Sequence, residues 1–501
     1  MKVNVFLCAF GLVAYNAFAQ NNEVLGIFSI THTQIANPIS GEQAFGIGVS
    51  AVGDIDGNGV QDLAVGARIG PTTNRGGLYI LFLDSSNNVI DTSRIAYGES
   101  GFNQQLGQAS RFGNSITGLG DLDGDGNVEI AVGADQYVDS SVKTGAIFIL
   151  SISSTGLVTN VNRISSNSSG FNASLPSDAD FGVSISAAPD LDGDGVNDLI
   201  VGAEGVSVVD PGEGALYILY LNTNGTVKSF KVLNRNSINL NLSQGLNFGR
   251  SLAWIDDLNG DSFADLIVGA PGGNTINGVS RGSYWILFLN GNQDVIGTSI
   301  IADISSNYSL QMDSLGFIGN DVTFLGDISG DGNGDVVIYA RSGFIDSNQT
   351  NYAAIVHLDS QGGISNMEIL KSNSNVFIGF TDFRFLFGSS FGGMDFNNDG
   401  KHDLICGGAN YNSGEGQINF IYLDGISHIS IPEFEQVENW VSISPNPSDG
   451  QIAIEQLGSD VTAAEIEVLN VNGQVVHTAS LSGQRTTLDL DVPSGNYFVR
   501  V

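Results

Sequence analysis

Six copies of one acidic nonapeptide recur along the chain, and each carries oxygen-bearing side chains at alternate positions. Positions 1, 3 and 5 hold Asp, Asn or Ser, and position 9 is always an acid. Successive copies begin 67, 69, 67, 70 and 68 residues apart. Calcium takes six to eight oxygen ligands, several of them carboxylates, at flexible geometry. With a backbone carbonyl at position 7, this spacing predicts one calcium site per copy, about six in all.

The candidate ligands, with position 7 contributing its carbonyl, are Asp54, Asp56, Asn58, Val60, Asp62; Asp121, Asp123, Asp125, Asn127, Glu129; Asp190, Asp192, Asp194, Val196, Asp198; Asp257, Asn259, Asp261, Phe263, Asp265; Asp327, Ser329, Asp331, Asn333, Asp335; and Asp395, Asn397, Asp399, Lys401, Asp403. One isolated copy would also suit a metal-free Asp/Gly turn, but six copies on a fixed period favour metal. We expect the weakest sites in the fourth loop, where Ser262 replaces a turn glycine, and in the fifth, where Ser329 replaces an acid or amide. An EF-hand is excluded because position 12 is apolar and no Glu stands there.

The residues around each nonapeptide repeat as well and indicate short strands. A Phe-Gly pair or close variant precedes it, and an apolar run such as LAVGA from Leu63 follows it. A second apolar run and an alternating segment complete the unit, so a full unit contains four strands without helical spacing. This pattern is typical of a propeller blade.

The all-β fold predicted from these repeats is a six-bladed β-propeller. The sixth unit ends after its third strand, whereas a strand-like segment from Val24 precedes the first Phe-Gly. We therefore expect that segment to complete the last blade and close the ring. A seven-bladed ring remains possible, but it needs a further blade that the sequence does not reveal.

Composition and the N-terminus restrict the class of protein. The chain has 53 Asp plus Glu against 18 Lys plus Arg, a formal net charge of -35. Such a charge repels phosphate backbones and anionic lipid, which argues against nucleic-acid or membrane-surface partners. Residues 1–19 read as a signal peptide with an Ala-Phe-Ala cleavage site, and no transmembrane anchor is predicted.

The repeats resemble the FG-GAP repeats of the integrin α-chain propeller and its bacterial relatives. The resemblance rests on Phe-Gly, the Asp-rich loop and Val-Gly-Ala in each unit, and we assign residues 20–430 to this propeller. It implies that the calcium loops join the first and second strands of each blade on a lower face. It also implies that ligands bind the opposite face.

Residues 441–501, after a linker at 431–440, resemble the C-terminal sorting domain of the bacterial type IX secretion system. The resemblance rests on Pro445-Asn446-Pro447, the Asn472-Gly473 hairpin and the Gly495–Phe498 segment. It implies a small β-sandwich recognised by the type IX machinery, and so a secreted or cell-surface protein. A final basic strand is missing from the pattern, so this domain is expected to be C-terminally incomplete. A plain binding sandwich is the alternative.

The favoured function is an extracellular binding or adhesion module for an unknown protein or glycan, rather than an enzyme. Loops on the face opposite the calcium loops carry residue types that are enriched at binding hot spots, namely Tyr137, Phe171, Tyr308, Phe383, Tyr411, Arg75, Arg281 and Arg384. The alternative is a secreted propeller enzyme, a polysaccharide hydrolase or lyase. No nucleophile elbow or histidine metal motif supports that alternative, but carboxylates from different blades would be invisible in the sequence. A structural component of a surface complex is a third possibility.

Overall fold

The computed structural model describes residues 3–8, 24–31, 44–67, 75–238, 245–273, 275–276, 279–280, 282–301, 317–345, 348–370, 390–396, 401–408, 416–423, 441–444, 451–456, 464–470, 475–481, 485–489 and 495–500. Nearly all regular structure in these residues is β-strand, with one short helix, α1 (Arg235–Ile238). The chain divides into two compact units, Asn22–Leu83 with Val89–Ile426, and Met1–Asn21 with Asp84–Asn88 and Ser427–Val501. No described helix is long and apolar enough to cross a membrane.

Two strands, β1 (Val3–Cys8) and β2 (Val24–Thr31), precede the repeats. Each of the first three repeats forms a four-stranded antiparallel sheet. Their strands are β3 (Val49–Gly53), β4 (Asp62–Ala67), β5 (Gly77–Leu83) and β6 (Val89–Ile95) in blade 1; β7 (Ile116–Gly120), β8 (Val128–Ala134), the hairpin β9 (Val138–Asp139) and β10 (Val142–Lys143), β11 (Ala146–Ile152) and β12 (Val158–Ile164) in blade 2; and β13 (Phe181–Ala188), β14 (Asp198–Ala203), β15 (Ala215–Leu221) and β16 (Val227–Leu233) in blade 3.

The next three sheets repeat this plan. Their strands are β17 (Ser251–Ile255), β18 (Asp265–Ala270), the hairpin β19 (Thr275–Ile276) and β20 (Val279–Ser280), β21 (Ser283–Leu289) and β22 (Val295–Ile301) in blade 4; β23 (Phe317–Gly326), β24 (Asp335–Ile345), β25 (Asn348–Leu358) and β26 (Ile364–Leu370) in blade 5; and β27 (Ser390–Met394), β28 (Asp403–Gly407) and β29 (Gln417–Leu423) in blade 6.

Strand β2 completes blade 6, as the sequence predicts. It pairs antiparallel with β29, and Phe28 lies opposite Phe420 and Ile30 opposite Ile418. The first strands of the blades lie side by side in the cyclic order β3, β7, β13, β17, β23 and β27, and β27 returns to β3. The prediction of six blades is therefore confirmed, and the ring closes without a seventh.

Burial along the strands follows their place in the blade. Every residue of β4, β14 and β18 is buried, because these second strands have sheet neighbours on both sides and adjacent blades on both faces. Such strands have near-continuous apolar sequences. The fourth strand lies at the outer edge, so half-buried and exposed residues alternate along it, as in Val295–Ile301.

The Val-Gly-Ala and Phe-Gly motifs meet between neighbouring blades. A Cβ atom on Gly66 would overlap the carbonyl oxygen of Gly113, the Phe-Gly glycine of the next blade. Gly407 of the last blade bears the same relation to Gly46 of the first. Only glycine permits this approach of two backbones, so the paired motifs set the spacing of the blades.

The C-terminal unit contains two sheets. One sheet pairs β30 (Val441–Ser444), β31 (Gln451–Gln456) and β34 (Arg485–Asp489), and the other contains β32 (Ala464–Asn470), β33 (Val475–Leu481) and β35 (Gly495–Arg500). Strand β1 pairs in parallel with β35, so Val3 lies opposite Gly495. Cleavage after Ala19, the domain limits and a missing final strand stay predictions, and the linker at 431–440 lies outside the described residues.

Candidate functional site: acidic loops and an upper charged cluster

The nonapeptides lie between the first and second strands of the blades, as the resemblance implies. The loop that begins at Asp54 follows β3 and ends where β4 begins, at Asp62. We call the side of the ring that carries these loops the lower face and the opposite side the upper face.

The acid at position 1 organises each described loop through backbone hydrogen bonds. Asp54 Oδ1 accepts from the N–H groups of Gly57 (2.8 Å) and Asn58 (3.0 Å), and its Oδ2 accepts from Gly59 (2.8 Å). The same three bonds recur around Asp121, Asp190, Asp257 and Asp327. The loop is thus preformed around one carboxylate.

The acid at position 9 anchors the loop to the blade. Asp198 is fully buried, and its Oδ2 accepts from Leu191 N while its Oδ1 accepts from Leu221 N, both at 2.9 Å. Asp62, Asp265 and Asp403 make equivalent pairs of bonds. Burial raises the pKa of Asp62, Asp198 and Asp265 to about 6.

Carboxylates converge in three of the described loops. Ligand atoms of Asp54, Asp56 and Asp62 lie within 4.8 Å of one another. The same holds for Asp121, Asp123 and Glu129, and for the first three acids of the loop at Asp190. In the sixth loop residues 397–400 lie outside the described residues, so Asn397 and Asp399 are not placed.

Two loops carry basic side chains that the sequence analysis did not associate with them. Lys228 Nζ lies 2.8 Å from Asp192 Oδ2 and 2.7 Å from Asp194 Oδ2 in the third loop. In the fifth loop His357 Nδ1 lies 2.9 Å from Asp335 Oδ1. Burial alone would lower the pKa of His357, but hydrogen bonds to Asp335 and Glu368 raise it to about 9. Both cations offset charge that a metal would otherwise neutralise.

The fourth loop contains backbone strain at the predicted position. Ser262 has a φ of 74°, in the left-handed region where the equivalent residues are Gly59, Gly126, Gly195 and Gly332. A Cβ atom at Gly59 or Gly195 would meet nothing within 4 Å. The cost of Ser262 is therefore conformational rather than steric.

The aromatic residues that we expected to contact a ligand are interior where the structure describes them. Phe171 is fully buried and stacks on Phe181 with ring centroids 5.1 Å apart. Tyr137 is 7% exposed, and its hydroxyl accepts a hydrogen bond from Arg163. The expectation is wrong for both, because each packs into the space between blade sheets. Tyr308, Phe383, Tyr411, Arg281 and Arg384 lie outside the described residues.

Arg75 is the one member of that expected set which the structure describes with part of its surface accessible. Its guanidinium carbon lies 5.5 Å from the ring centroid of Tyr97, which is 45% exposed. Of the residues predicted to contact a ligand, Arg75 is therefore the one that the described part of the structure leaves available for that role.

The upper face holds instead a charged cluster built by blades 2, 3 and 4. Asp135 and Glu204 directly follow the second strands β8 and β14, whereas Arg111, Asp180 and Arg250 flank Phe-Gly pairs. These places are at the opposite ends of the strands from the acidic loops. We call Arg111, Asp135, Gln136, Lys143, Asp180, Glu204 and Arg250 the upper cluster.

Direct contacts connect its members. Arg111 Nη1 lies 3.0 Å from Asp135 Oδ2. Gln136 Nε2 donates to Asp135 Oδ2 at 3.3 Å and to Asp180 Oδ1 at 2.5 Å. Lys143 Nζ donates to Gln136 Oε1 at 3.0 Å, so the amide of Gln136 joins a cation to two carboxylates.

Arg250 extends the cluster towards the axis of the ring. Its Nη1 lies 2.8 Å from Glu204 Oε1, and its charge also acts on Asp135 and on Asp321 of the innermost strand β23. Burial and the neighbouring carboxylates of Asp135 and Glu204 raise the pKa of Asp180 to about 6. Burial raises the pKa of Asp321 to about 7.

Two acceptors of this region have no hydrogen-bond partner among the described residues. They are Asp135 Oδ1, on a residue only 1% exposed, and Asp321 Oδ2. The sequence analysis located these segments but selected their aromatic residues. The sequence does contain a signal for this cluster: charged residues lie next to Val-Gly-Ala and Phe-Gly in consecutive repeats.

A six-bladed propeller with repeated acidic loops, followed by a small β-domain, defines the class of this protein. Family models agree with that class. The FG-GAP repeat matches residues 112–150, 181–219 and 248–287, which are in blades 2, 3 and 4. The secretion system C-terminal sorting domain matches residues 442–501. The chain therefore carries FG-GAP repeats and a sorting domain that indicates export.

Curated relatives include integrin α-chains. The chain is 30% identical to Integrin alpha-4 of Xenopus laevis over 160 residues, 34% identical to Integrin alpha-5 of Xenopus laevis over 181, and 33% identical to Integrin alpha-11 of Homo sapiens over 208. These matches cover 32%, 33% and 41% of this chain. They span only 14%, 16% and 16% of the relatives' own lengths.

Among solved structures, a thermostable family-43 glycoside hydrolase aligns with a TM-score of 0.35 and 11% identity. The alignment covers 67% of this chain and 96% of the hydrolase.

Proposed function

We propose that this chain is an exported, calcium-binding β-propeller that serves as an extracellular binding or adhesion module. The convergence of carboxylates in repeated, preformed loops carries the calcium part of the proposal. The donor set consists of hard oxygen atoms, which suits Ca²⁺. In each loop the side chains at positions 1, 3, 5 and 9 and the carbonyl at position 7 would hold the ion.

Charge supports the same assignment. Asp54, Asp56 and Asp62 place three carboxylates within 4.8 Å, and like charges at this distance repel one another. A divalent cation offsets that repulsion and joins the end of the first strand to the start of the second. The chemistry supplied is structural, so calcium should stabilise the ring.

The calcium proposal is tested by titrating the metal-free chain with Ca²⁺ in a calorimeter and by recording melting with and without chelator. We expect several binding events and a higher melting temperature in calcium. A melting curve that does not respond to chelator, together with no heat of binding, would overturn the calcium assignment.

For adhesion, the upper face offers varied loops on a repeated scaffold, and this is where recognition residues are commonly found. Two immobilised arrays, one of glycans and one of extracellular proteins, should be probed with the full chain in saturating calcium and in chelator. Selective capture in calcium supports the module. Absence of capture on both arrays, in a protein that melts cooperatively, counts against it.

A polysaccharide hydrolase is the second candidate, and the pair Asp135 and Asp180 favours it. Both carboxylates contact the same amide nitrogen of Gln136, and the pKa of Asp180, raised to about 6, suits a general acid. Release of reducing ends from polysaccharides by the wild-type chain, abolished in Asp180→Asn, would favour the hydrolase over the binding module.

Export is proposed to use a signal peptide at residues 1–19 followed by type IX recognition of the C-terminal domain. The test expresses the full chain and a variant lacking residues 441–501 in a type IX-competent host. Surface or medium delivery of the full chain, with periplasmic retention of the shortened variant, is expected. Equal delivery of both would refute the role of the sorting domain.

A further inference from the structure

We infer that a cavity on the lower face, between blades 2 and 3, binds a neutral sugar ring. The cavity has a volume of about 200 Å³, and it is lined by part of the second acidic loop, by β11 and β12, and by the turn between β15 and β16. The inference rests on the calcium part of the proposed function, because the ion would neutralise the acidic wall of the cavity. It does not depend on recognition at the upper face.

The cavity is open because blade 2 has a small side chain where the other blades have a ring. Ser151 is the next-to-last residue of β11. A Cβ atom on Gly156, in the hairpin turn of blade 2, would lie 3.1 Å from Phe82 Cζ, so the Phe82 ring of blade 1 reaches the turn of the next blade. Gly362 and Phe288 repeat this contact between blades 5 and 4. At the place of Ser151 the other blades have Phe82, Tyr220, Phe288, His357 and Tyr422.

Two long side chains that fill the equivalent space in blade 3 are also short in blade 2. Lys228 lies over two acids of its own loop, and Lys231 donates to the hairpin turn of blade 4. The strand registers place Thr159 and Asn162 at these two positions in blade 2. Three replacements in blade 2 thus open a space that blade 3 fills with its own side chains.

The lining of the cavity matches the hydrogen-bonding pattern of sugar hydroxyl groups. Amides and hydroxyls both donate and accept hydrogen bonds, as sugar hydroxyls do. The side chains of Asn160 and Thr223 are exposed and make no hydrogen bond within the described part of the structure, so a ligand can use them. Outside the acidic loop, the polar side chains that line the cavity are uncharged, namely Ser151, Thr159, Asn160, Asn162, Thr223 and Asn224.

The acidic wall and the apolar part of the lining narrow the class of ligand. Asp123, Asp125 and Glu129 form one wall, which repels anions. Glu129 is 5% exposed and accepts a hydrogen bond from Ser151 Oγ at 2.5 Å. Calcium in the loop would offset these charges, so a cation gains little there and a neutral polyhydroxyl ligand fits. Ile149 also borders the cavity and offers an apolar contact for the C–H face of a sugar ring.

The test uses the full chain in saturating calcium. The probes are the methyl glycosides of mannose, galactose, glucose and fucose, and methyl glucosaminide is the charged comparison. Contact is detected by saturation-transfer difference NMR, and affinity is measured by titration. We expect saturable binding of at least one neutral glycoside, and weaker binding of the glucosaminide.

The key variants copy the blades in which the space is filled. Ser151→Phe introduces the side chain of blades 1 and 4, and Thr159→Lys introduces the lysine of blade 3. Each should weaken the glycoside at least tenfold. The matched control is Thr298→Lys, at an exposed threonine on the outer strand of blade 4, and it should change the affinity less than twofold. Asn160→Ala alters an exposed side chain of the cavity and should weaken binding several-fold even if Ser151→Phe does not fold.

The possible outcomes separate this site from the proposed function. Glycoside binding that is unchanged in the folded cavity variants would place the sugar elsewhere and overturn the inference. Absence of glycoside binding by a chain that binds calcium would also reject this site, while the calcium assignment stands. Glycoside binding that depends on the cavity but not on calcium would retain the site and reject the calcium assignment. Tighter binding of methyl glucosaminide than of every neutral glycoside would refute a neutral ligand.

Discussion

Replacing Asp198 by Asn separates the structural and metal-binding roles of position 9. Asparagine keeps the shape of the side chain and one acceptor oxygen, but its NH₂ group would face a backbone N–H donor. One of the two bonds to Leu191 and Leu221 is then lost, which costs about 1–3 kcal/mol. Burial raises the pKa of Asp198 to about 6, so removal of the buried charge at neutral pH offsets part of that cost.

Calcium binding makes a second contribution to the free energy of unfolding, and only the wild type gains it at this site. A site at a hundredfold excess of ligand stabilises by about 2.7 kcal/mol. A propeller of roughly 400 residues has an unfolding entropy of roughly 0.8 kcal/mol per kelvin, from about 2.1 cal/mol/K for each residue. Loss of one site should therefore lower the melting temperature by about 3 °C in calcium beyond any change in chelator.

The assay is differential scanning calorimetry of wild type and Asp198→Asn, each in saturating calcium and in chelator. Asp91→Asn, at an exposed acid, is the control for a general effect of charge. We expect the gap between wild type and variant to widen by about 3 °C in calcium. The same gap in both solutions would show that position 9 anchors the loop without binding metal.

Four further outcomes are expected. Ser262→Gly should relieve left-handed strain at 74° and stabilise the protein by up to about 1 kcal/mol, measured as a higher melting temperature. Lys228→Gln should raise calcium affinity at the third loop several-fold in a calcium titration, because the ammonium no longer contacts two ligands; an unchanged affinity would contradict this. Gly202→Ala should cost about 1–3 kcal/mol or more, since its Cβ would overlap Gly249 O, and a melt equal to wild type would refute the interlock. Between pH about 4 and 6 the folded metal-free protein binds more protons than the unfolded chain, because the pKa values of Asp62 and Asp265 are raised to about 6. Its melting temperature should therefore fall as pH rises through that window, and saturating calcium should reverse the trend.

The fold could be predicted in detail from the sequence because the same short motifs, each with a local structural preference, occur in every repeat. Each nonapeptide needs only its own residues to form a turn, and each Val-Gly-Ala meets a Phe-Gly at a fixed offset. Even the closing strand at Val24 could be predicted, because one unit lacked its last strand. The repeat can still be recognised where one motif residue is replaced. In blade 5, for example, Tyr339 occupies the position of the glycine of Val-Gly-Ala.

The parts that could not be predicted depend on contacts between residues far apart in the chain. Lys228 reaches acids 34 and 36 positions earlier, and nothing in its own strand marks it as a partner of a calcium loop. Phe171 was expected to contact a ligand because it lies in a loop opposite the calcium loops and is of a residue type enriched at binding hot spots. Its ring is instead buried and stacks on Phe181. Residue type alone does not distinguish an aromatic residue that contacts a ligand from one that is buried between blades.

The two faces of the ring differ in how their chemistry is assembled, and this difference has a mechanical consequence. A lower-face loop takes its predicted ligands from nine consecutive residues, so each site should form with its own blade. The upper cluster takes Asp135 from blade 2, Glu204 from blade 3 and Arg250 from blade 4, so it exists only when three blades hold their spacing. That spacing is set where Gly133 meets Gly182 and Gly202 meets Gly249. Loosening either contact should therefore weaken the upper cluster before it affects any single acidic loop.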